Sequence, residues 1–358
     1  MRENHRSEFP WRNCKDILLA RVCHTQQSRG VLPERSLHNR ALFYLLLATL
    51  LWALSFPLVK ILFIEQRSLL AHATSPFLSS LLMVSRFGFA ALLVLPVLLG
   101  KKQNPNTSEW HQGLLLALYG GLGMWLKADA LDYTKASTCA FITQCYCVFL
   151  PLIHAIKTRR MPSNSTLIAV VMVTIGMAWL SGVSYRDLRL GRGEIETLLA
   201  TIFFTMQILC LENPRYTSNR SLPVTFVMFL GIALLGTPHM LYSANSLSDC
   251  FTAIASPAAF GIIAGMAIFC SIGAYGLMNH WQSFVHSVEA GMIYCAEPVF
   301  TFLIAMFLPA LLGKLMGHEI ANETWTIAIL GGGFLITAAN IILQRQSPAG
   351  TAAHHPLD

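Results

Sequence analysis

Ten times along this chain, roughly twenty residues pass with hardly a charge among them, and that spacing decides what the chain can become. A hydrocarbon layer about 30 Å thick takes about 20 helical residues to cross, and backbone groups inside it find no water, so each crossing segment must satisfy its own hydrogen bonds as a helix. The apolar runs lie near 41–64, 76–99, 111–132, 136–157, 164–182, 191–211, 222–242, 257–280, 287–312 and 323–343. Lys127, Glu194 and Asn279 fall in or beside the third, sixth and eighth. Composition agrees: 54% of residues are hydrophobic and 12% charged, about half the charge of a soluble domain. The expected fold class is an all-α integral membrane protein of about ten transmembrane helices, partnered by the lipid bilayer and not by nucleic acid.

The segments outside the runs set the orientation. Residues 1–40 hold eight Lys and Arg with four acids, and the run ILLA is too short for a signal-peptide core. A basic cytosolic tail is expected, with a targeting presequence as the alternative. With both termini inside, cytosolic segments carry 16 Lys and Arg and outer loops 7, the direction of the positive-inside rule. Arg186, Arg189 and Arg192 in an outer loop argue the other way. Residues 344–358 form a cytosolic C-terminal tail. Six of nine cysteines (Cys139, Cys145, Cys147, Cys210, Cys270, Cys295) fall within spans, where they read as small packing residues. No CxxC pair appears, and His318-Glu319-Ile320 continues as Ala-Asn, so no zinc motif forms. No metal and no cofactor are expected.

The halves are related at an offset of 151 residues. KASTCAFITQCYCVFLPL from Lys135 aligns with HSVEAGMIYCAEPVFTFL from His286, matching Ile142 with Ile293, Val148 with Val299, Phe149 with Phe300 and Leu152 with Leu303. Five spans per half, over 41–182 and 190–343, would insert the second half upside down relative to the first. Such inverted repeats support alternating access in secondary transporters.

WALSFPLVK in the first span, SRFGFAALLVLP in the second, ALDYTKAST between the third and fourth and AEPVFTFLIAMF in the ninth resemble the EamA-type branch of the drug/metabolite transporter superfamily, over about residues 41–343. The resemblance implies ten helices in two inverted five-helix repeats around a central cavity. It also implies substrates among amino acids, their derivatives and S-adenosylmethionine; exchange of the last for S-adenosylhomocysteine is a separate expectation. The sequence departs from the pattern at Cys147, where the second half has Pro298, and at Lys157-Thr158-Arg159-Arg160, where an acid often stands. The first span lacks the glutamate used by small multidrug relatives.

A charge at the bilayer centre costs about 2.5 kcal/mol or more, so each ionisable residue in a span needs a reason. Lys60 either snorkels to the outer interface or anchors a substrate anion, and with Lys127 it is placed at a gate or outer vestibule. Arg86, about ten residues into the second span, serves function or a buried ion pair. Asp129, two residues from Lys127 and on a different face, pairs with Lys60 or Arg86 or contacts substrate. Glu297, near the midplane and directly before Pro298, is the leading site residue: it takes a proton, faces a cationic group, or bonds a neighbouring helix at a kink. Pro57 and Pro298 each remove a backbone donor, tolerated only beside protein or water, and are read as kinks. Trp52, Phe56, Trp125, Tyr146, Tyr275 and Tyr294 either pack helices or line a pocket that stacks a planar group or holds an onium cation. Glycines 120, 121, 123 and 331–333 permit close helix approach, with hinge motion as the alternative.

The chain thus reads as a carrier of a small molecule in a bacterial inner membrane and not as an enzyme. S-adenosylmethionine is the first substrate candidate and an exported amino acid the second, and a homo-oligomer is compatible with the sequence. Without a Walker A motif, energy comes from a gradient, exchange or downhill flow. A membrane-embedded enzyme is the competing class.

Overall fold

The structure is a computed structural model that describes residues 34–159, 164–180, 190–285 and 287–344. Most of the expected N-terminal tail, the expected C-terminal tail, Arg186 and Arg189 lie outside the described residues.

Every regular element among the described residues is helical. In chain order they are α1 (Glu34–Leu69), α2 (Ser75–Gly100), α3 (Thr107–Tyr133), α4 (Ala136–Thr143), α5 (Tyr146–Thr158), α6 (Asn164–Leu180), α7 (Arg192–Leu211) and α8 (Ser221–Ser243). There follow α9 (Leu247–Thr252), α10 (Pro257–Gly265), α11 (Ala274–Trp281), α12 (Ser287–Tyr294), α13 (Glu297–Ala305), α14 (Leu308–Met316) and α15 (Ile327–Gln344). A π-helical stretch, Met266–Gly273, joins α10 to α11. Local chemistry sets the starts. Asn106 and Glu109 form a reciprocal capping box at α3, and Ser256 caps α10 ahead of Pro257, each satisfying amides that the first turn leaves unpaired.

Seven helical segments among the described residues are long and apolar enough to cross a membrane, or eight if the bent pair α13 and α14 counts as one. The protein is therefore an all-α membrane protein, with a smaller count of clear spans than the sequence suggests. The ninth expected span, 287–312, is divided: α12 stops at Tyr294, α13 begins at Glu297, and α14 turns away by 44°. The tenth is short, its apolar part covering Ile327–Ala339, about 20 Å at 1.5 Å per residue. The fifth, α6, has 17 described residues.

The fourth expected span is divided too, and the two interruptions share a register. Ala136 and Ser287 open the leading half-helices, Thr143 and Tyr294 close them, and Tyr146 and Glu297 open the trailing halves, each pair 151 residues apart. That is the offset found between the halves of the sequence.

Side chains bonded across helices define two faces. At the first, Arg67 of α1 grips Asp132 of α3 with both prongs, 2.6 and 2.5 Å. Glu65 of α1 accepts from Ser256 (2.6 Å) and meets His318 (2.7 Å). At the second face, the fully buried Glu109 of α3 takes three bonds from Arg220, and Tyr44 stacks on Trp281 at 4.7 Å. Between the faces α2 packs along α8, α3 along α7 and α8, and α15 along α6. Apolar side chains such as Leu92, Leu234 and Phe334 point outward, each more than 60% exposed, as a lipid-facing surface requires.

Small residues bring α3 and α8 together. A Cβ added at Gly113 would lie 2.6 Å from the Val227 Cβ, and one at Gly231 would lie 2.6 Å from the Ala117 Cβ. Both obstacles are fixed to backbone, so the helices would have to part. Gly113→Ala should lower stability by about 1–3 kcal/mol through overpacking, more than the roughly 1 kcal/mol that alanine gains in helix propensity. Thermal unfolding of the detergent-solubilised protein checks this; an unchanged or higher midpoint contradicts it. The predicted glycine cluster 120–123 is likewise a packing surface, with Gly120 against Gln207 and Gly123 against Phe204.

Pro57 lies within α1, which runs on through it as helix. Its missing amide leaves the Ala53 carbonyl, one turn earlier, without its usual donor. The fully buried Thr301 of α13 supplies one, its hydroxyl donating to that oxygen at 3.5 Å. Pro298 sits in the first turn of α13, where a missing amide costs little. It follows the break in the helix and does not bend a continuous one.

Candidate functional site

Three ionisable side chains are buried between the two faces: Glu297 of α13, Lys127 of α3 and Arg86 of α2, with 4%, 6% and 0% exposure. They reach this depth because α13 begins at Glu297, in mid-membrane, and because α2 and α3 are long helices that carry their polar residues inward. The Lys127 Nζ lies 4.4 Å from the ring centre of Phe56 and 5.3 Å from that of Phe204, two faces whose quadrupoles favour a cation. The Glu297 carboxylate has no hydrogen bond or ion pair with any described residue. An acid and a base are thus both buried in a low-dielectric interior with no hydrogen bond or ion pair between them. That arrangement is costly unless something else completes it.

Arg86 donates its Nε to the Ser271 hydroxyl at 2.7 Å and an Nη2 hydrogen to the Cys270 carbonyl at 2.9 Å. Both acceptors lie in the π-helical stretch. Its Nη1 is buried with no partner, and no carboxylate contacts it. The expected ion pair of Arg86 with Asp129 does not form.

Four of the predicted aromatics come together beside these charges. Trp52 meets Tyr275 edge-on at 5.2 Å and Tyr294 at 5.3 Å, and Tyr146 meets Tyr294 at 6.3 Å. The Tyr294 hydroxyl donates to Gln282 at 2.7 Å, and that of Tyr146 to Gln144 at 3.2 Å. The Trp52 indole N–H is buried and unpaired. The site therefore offers an acid, two cations, an indole donor and an aromatic wall, drawn from α1, α2, α3, α5, α11, α12 and α13.

Other predicted residues lie elsewhere. Trp125 packs edge-on against His239 at 4.7 Å, on a different side of α3. Asp129 accepts from Ser75 at 2.6 Å and pairs with Arg192 at 2.5 Å, so its partner is the first residue of α7, which the orientation count placed in an outer loop, and neither Lys60 nor Arg86. Lys60 lines two cavities at the first face, and Lys127 is not among the residues that line them. Lys127 is thus a central residue and not a vestibule one: counting along the helix gave its height, but not that it points at Phe56. Phe204, Ser271 and Gln282 also belong to the site, and no sequence signal sets them apart from other apolar or small polar residues in a span.

Comparison with known proteins agrees with this architecture. Residues 39–182 match the model of the EamA-like transporter family. An "Uncharacterized transporter" from Archaeoglobus fulgidus is 26% identical over 299 residues, covering 84% of each chain. A solved crystal structure of another protein superposes with a TM-score of 0.54 over 85% of this chain and 96% of its own, at 14% identity, a likeness of fold alone. The first part of the chain is thus similar to the EamA-like transporter family, and the run of apolar helices is that of a membrane protein.

Proposed function

We propose that the protein is a secondary transporter that moves a small zwitterionic metabolite by alternating access. In this reading its ten spans form two inverted five-helix repeats, both termini are cytosolic, and the first face is external to a bacterial inner membrane. The observation that carries the substrate class is that Glu297 and Lys127 are both buried and make no ion pair with each other. A zwitterion placed between them gives each charge a partner: its ammonium faces the acid, while its carboxylate faces Lys127 and the open Nη1 of Arg86. The aromatic wall of Trp52, Tyr146, Tyr275 and Tyr294 suits a planar or onium body. S-adenosylmethionine, with its amino-acid end, sulfonium and adenine, has all these parts and is the first compound to test. An ordinary amino acid is the second. The shared register of the two broken helices supports the repeat.

The test is uptake of labelled S-adenosylmethionine into proteoliposomes containing the purified protein, with a panel of competitors. S-adenosylhomocysteine should compete and should accelerate exchange from the inside, while adenosine, lacking the zwitterion, should compete at least tenfold less well. Equal competition by adenosine would overturn the zwitterion reading, and absence of uptake with uptake of leucine or phenylalanine would move the substrate to the amino-acid class.

A further inference from the structure

The loop from 317 to 326, between α14 and α15, is fastened to the first face at several points. Asn322 accepts from the Ala310 amide at 2.8 Å, His318 meets Glu65 at 2.7 Å, and the Glu323 amide donates to the Ala305 carbonyl at 3.0 Å. These bonds deliver the Glu323 carboxylate to the start of α4, where one oxygen accepts from the Ser137 amide at 3.4 Å. The other oxygen is buried and has no partner.

Two cavities of about 500 and 430 Å³ open here and share Lys60, Asp132, Lys135 and Ile329 in their walls. The walls hold three cations, Lys60, Arg67 and Lys135, and three acids, Asp132, Glu194 and Glu323, but only Arg67 and Asp132 pair directly. Arg67 is taken up by both oxygens of Asp132, and Glu194, on the wall of the larger cavity, accepts from Thr134 at 2.8 Å. Lys60 and Lys135 have no ion pair among the described residues. Glu323, which the loop supplies, lines the smaller cavity together with both lysines.

We propose that Lys60 and Lys135, with the Ser137 amide, form a recognition site at the cavity mouth for the carboxylate of an incoming solute, and that Glu323 is its tethered occupant. The solute carboxylate displaces Glu323, takes over its contacts and frees the loop. Only the identity of the solute rests on the transport reading; the carboxylate site rests on the cavity and its charges.

The test uses no transport. Ala328 lines the larger cavity, and Ala328→Cys reports its potential through the ratio of modification rates by anionic sulfonatoethyl and neutral methyl methanethiosulfonate. The protein is purified in detergent, and the parent's native cysteine background is subtracted. Glu323→Gln should raise the ratio about three- to tenfold, and Lys60→Gln should lower it comparably, as a unit charge a few ångströms away dictates at partial solvent exposure. Glu319→Gln, in the same loop but exposed, should leave it within about twofold. Acetate replacing chloride at constant ionic strength should protect the Glu323→Gln protein more than the parent. A ratio unmoved by Glu323→Gln, an equal response to Glu319→Gln, or no acetate protection overturns the proposal. Lys60→Gln leaves the loop intact, so a parental ratio there overturns it even if loop variants fold poorly. Failure of the transport reading shows separately, in the uptake panel.

Discussion

Glu297→Gln should reduce uptake by about ten- to a hundredfold while the yield and gel-filtration profile of the purified protein stay as in the parent. The magnitude is that of one hydrogen bond to a charged group, about 1.5–3 kcal/mol, each 1.4 kcal/mol being a factor of about ten. The amide is isosteric, and Glu297 makes no hydrogen bond with any described residue, so nothing structural is broken. If the acid instead braced the start of α13, the substitution would lower folded yield and leave flux per folded molecule unchanged. Parental flux would remove Glu297 from the site. Lys127→Gln is the complementary substitution: the acid remains, so the loss should fall on substrates with a carboxylate and spare those whose carboxylate is esterified.

Arg86→Met should give a protein that melts no lower than the parent but transports at least tenfold more slowly. The guanidinium is fully buried with no carboxylate beside it. Burying an ion without a counter-ion costs several kcal/mol after relaxation, and the bonds to Ser271 and the Cys270 carbonyl return about 1.5–3 kcal/mol each. Methionine fills similar space without the charge, and Ser271 can turn its hydroxyl to its own helix. Retaining such a residue is the behaviour expected where stability is given up for function. A melting point lowered by more than about 5 °C, with flux per folded molecule retained, would make Arg86 a structural clip instead. In the proposed reading the two substitutions separate cleanly, because one changes the acid that would meet an ammonium and the other the cation that would meet a carboxylate.

Most of the helices were legible because length and apolarity suffice to declare a membrane segment, and the caps at Asn106 and Ser256 are local chemistry. The interruption at Gln144 and Cys145 was not, since neither residue is a glycine or proline, and only its match with Cys295 and Ala296 gives it meaning. Glu297 stood out as an acid in the middle of a span. Lys127 was legible as a charge but not as a neighbour of Phe56 and Phe204, because position along a helix gives height, whereas the direction a side chain faces depends on how other helices pack. Asp129 shows the same limit: its partner, Arg192, lies 63 residues away, and both residues look like ordinary interface charges in the sequence. Glu323 was hidden altogether, since only the folded loop carries it to Ser137.

The hydroxyl that Thr301 lends to the Ala53 carbonyl has a mechanical consequence. Hydrocarbon offers that oxygen no water, so peeling α1 from α13 would strand an acceptor that a proline, and not the environment, has exposed. In the proposed alternating-access reading these two segments would move together, and any change of shape would fall at their borders with other helices and not at the seam between them.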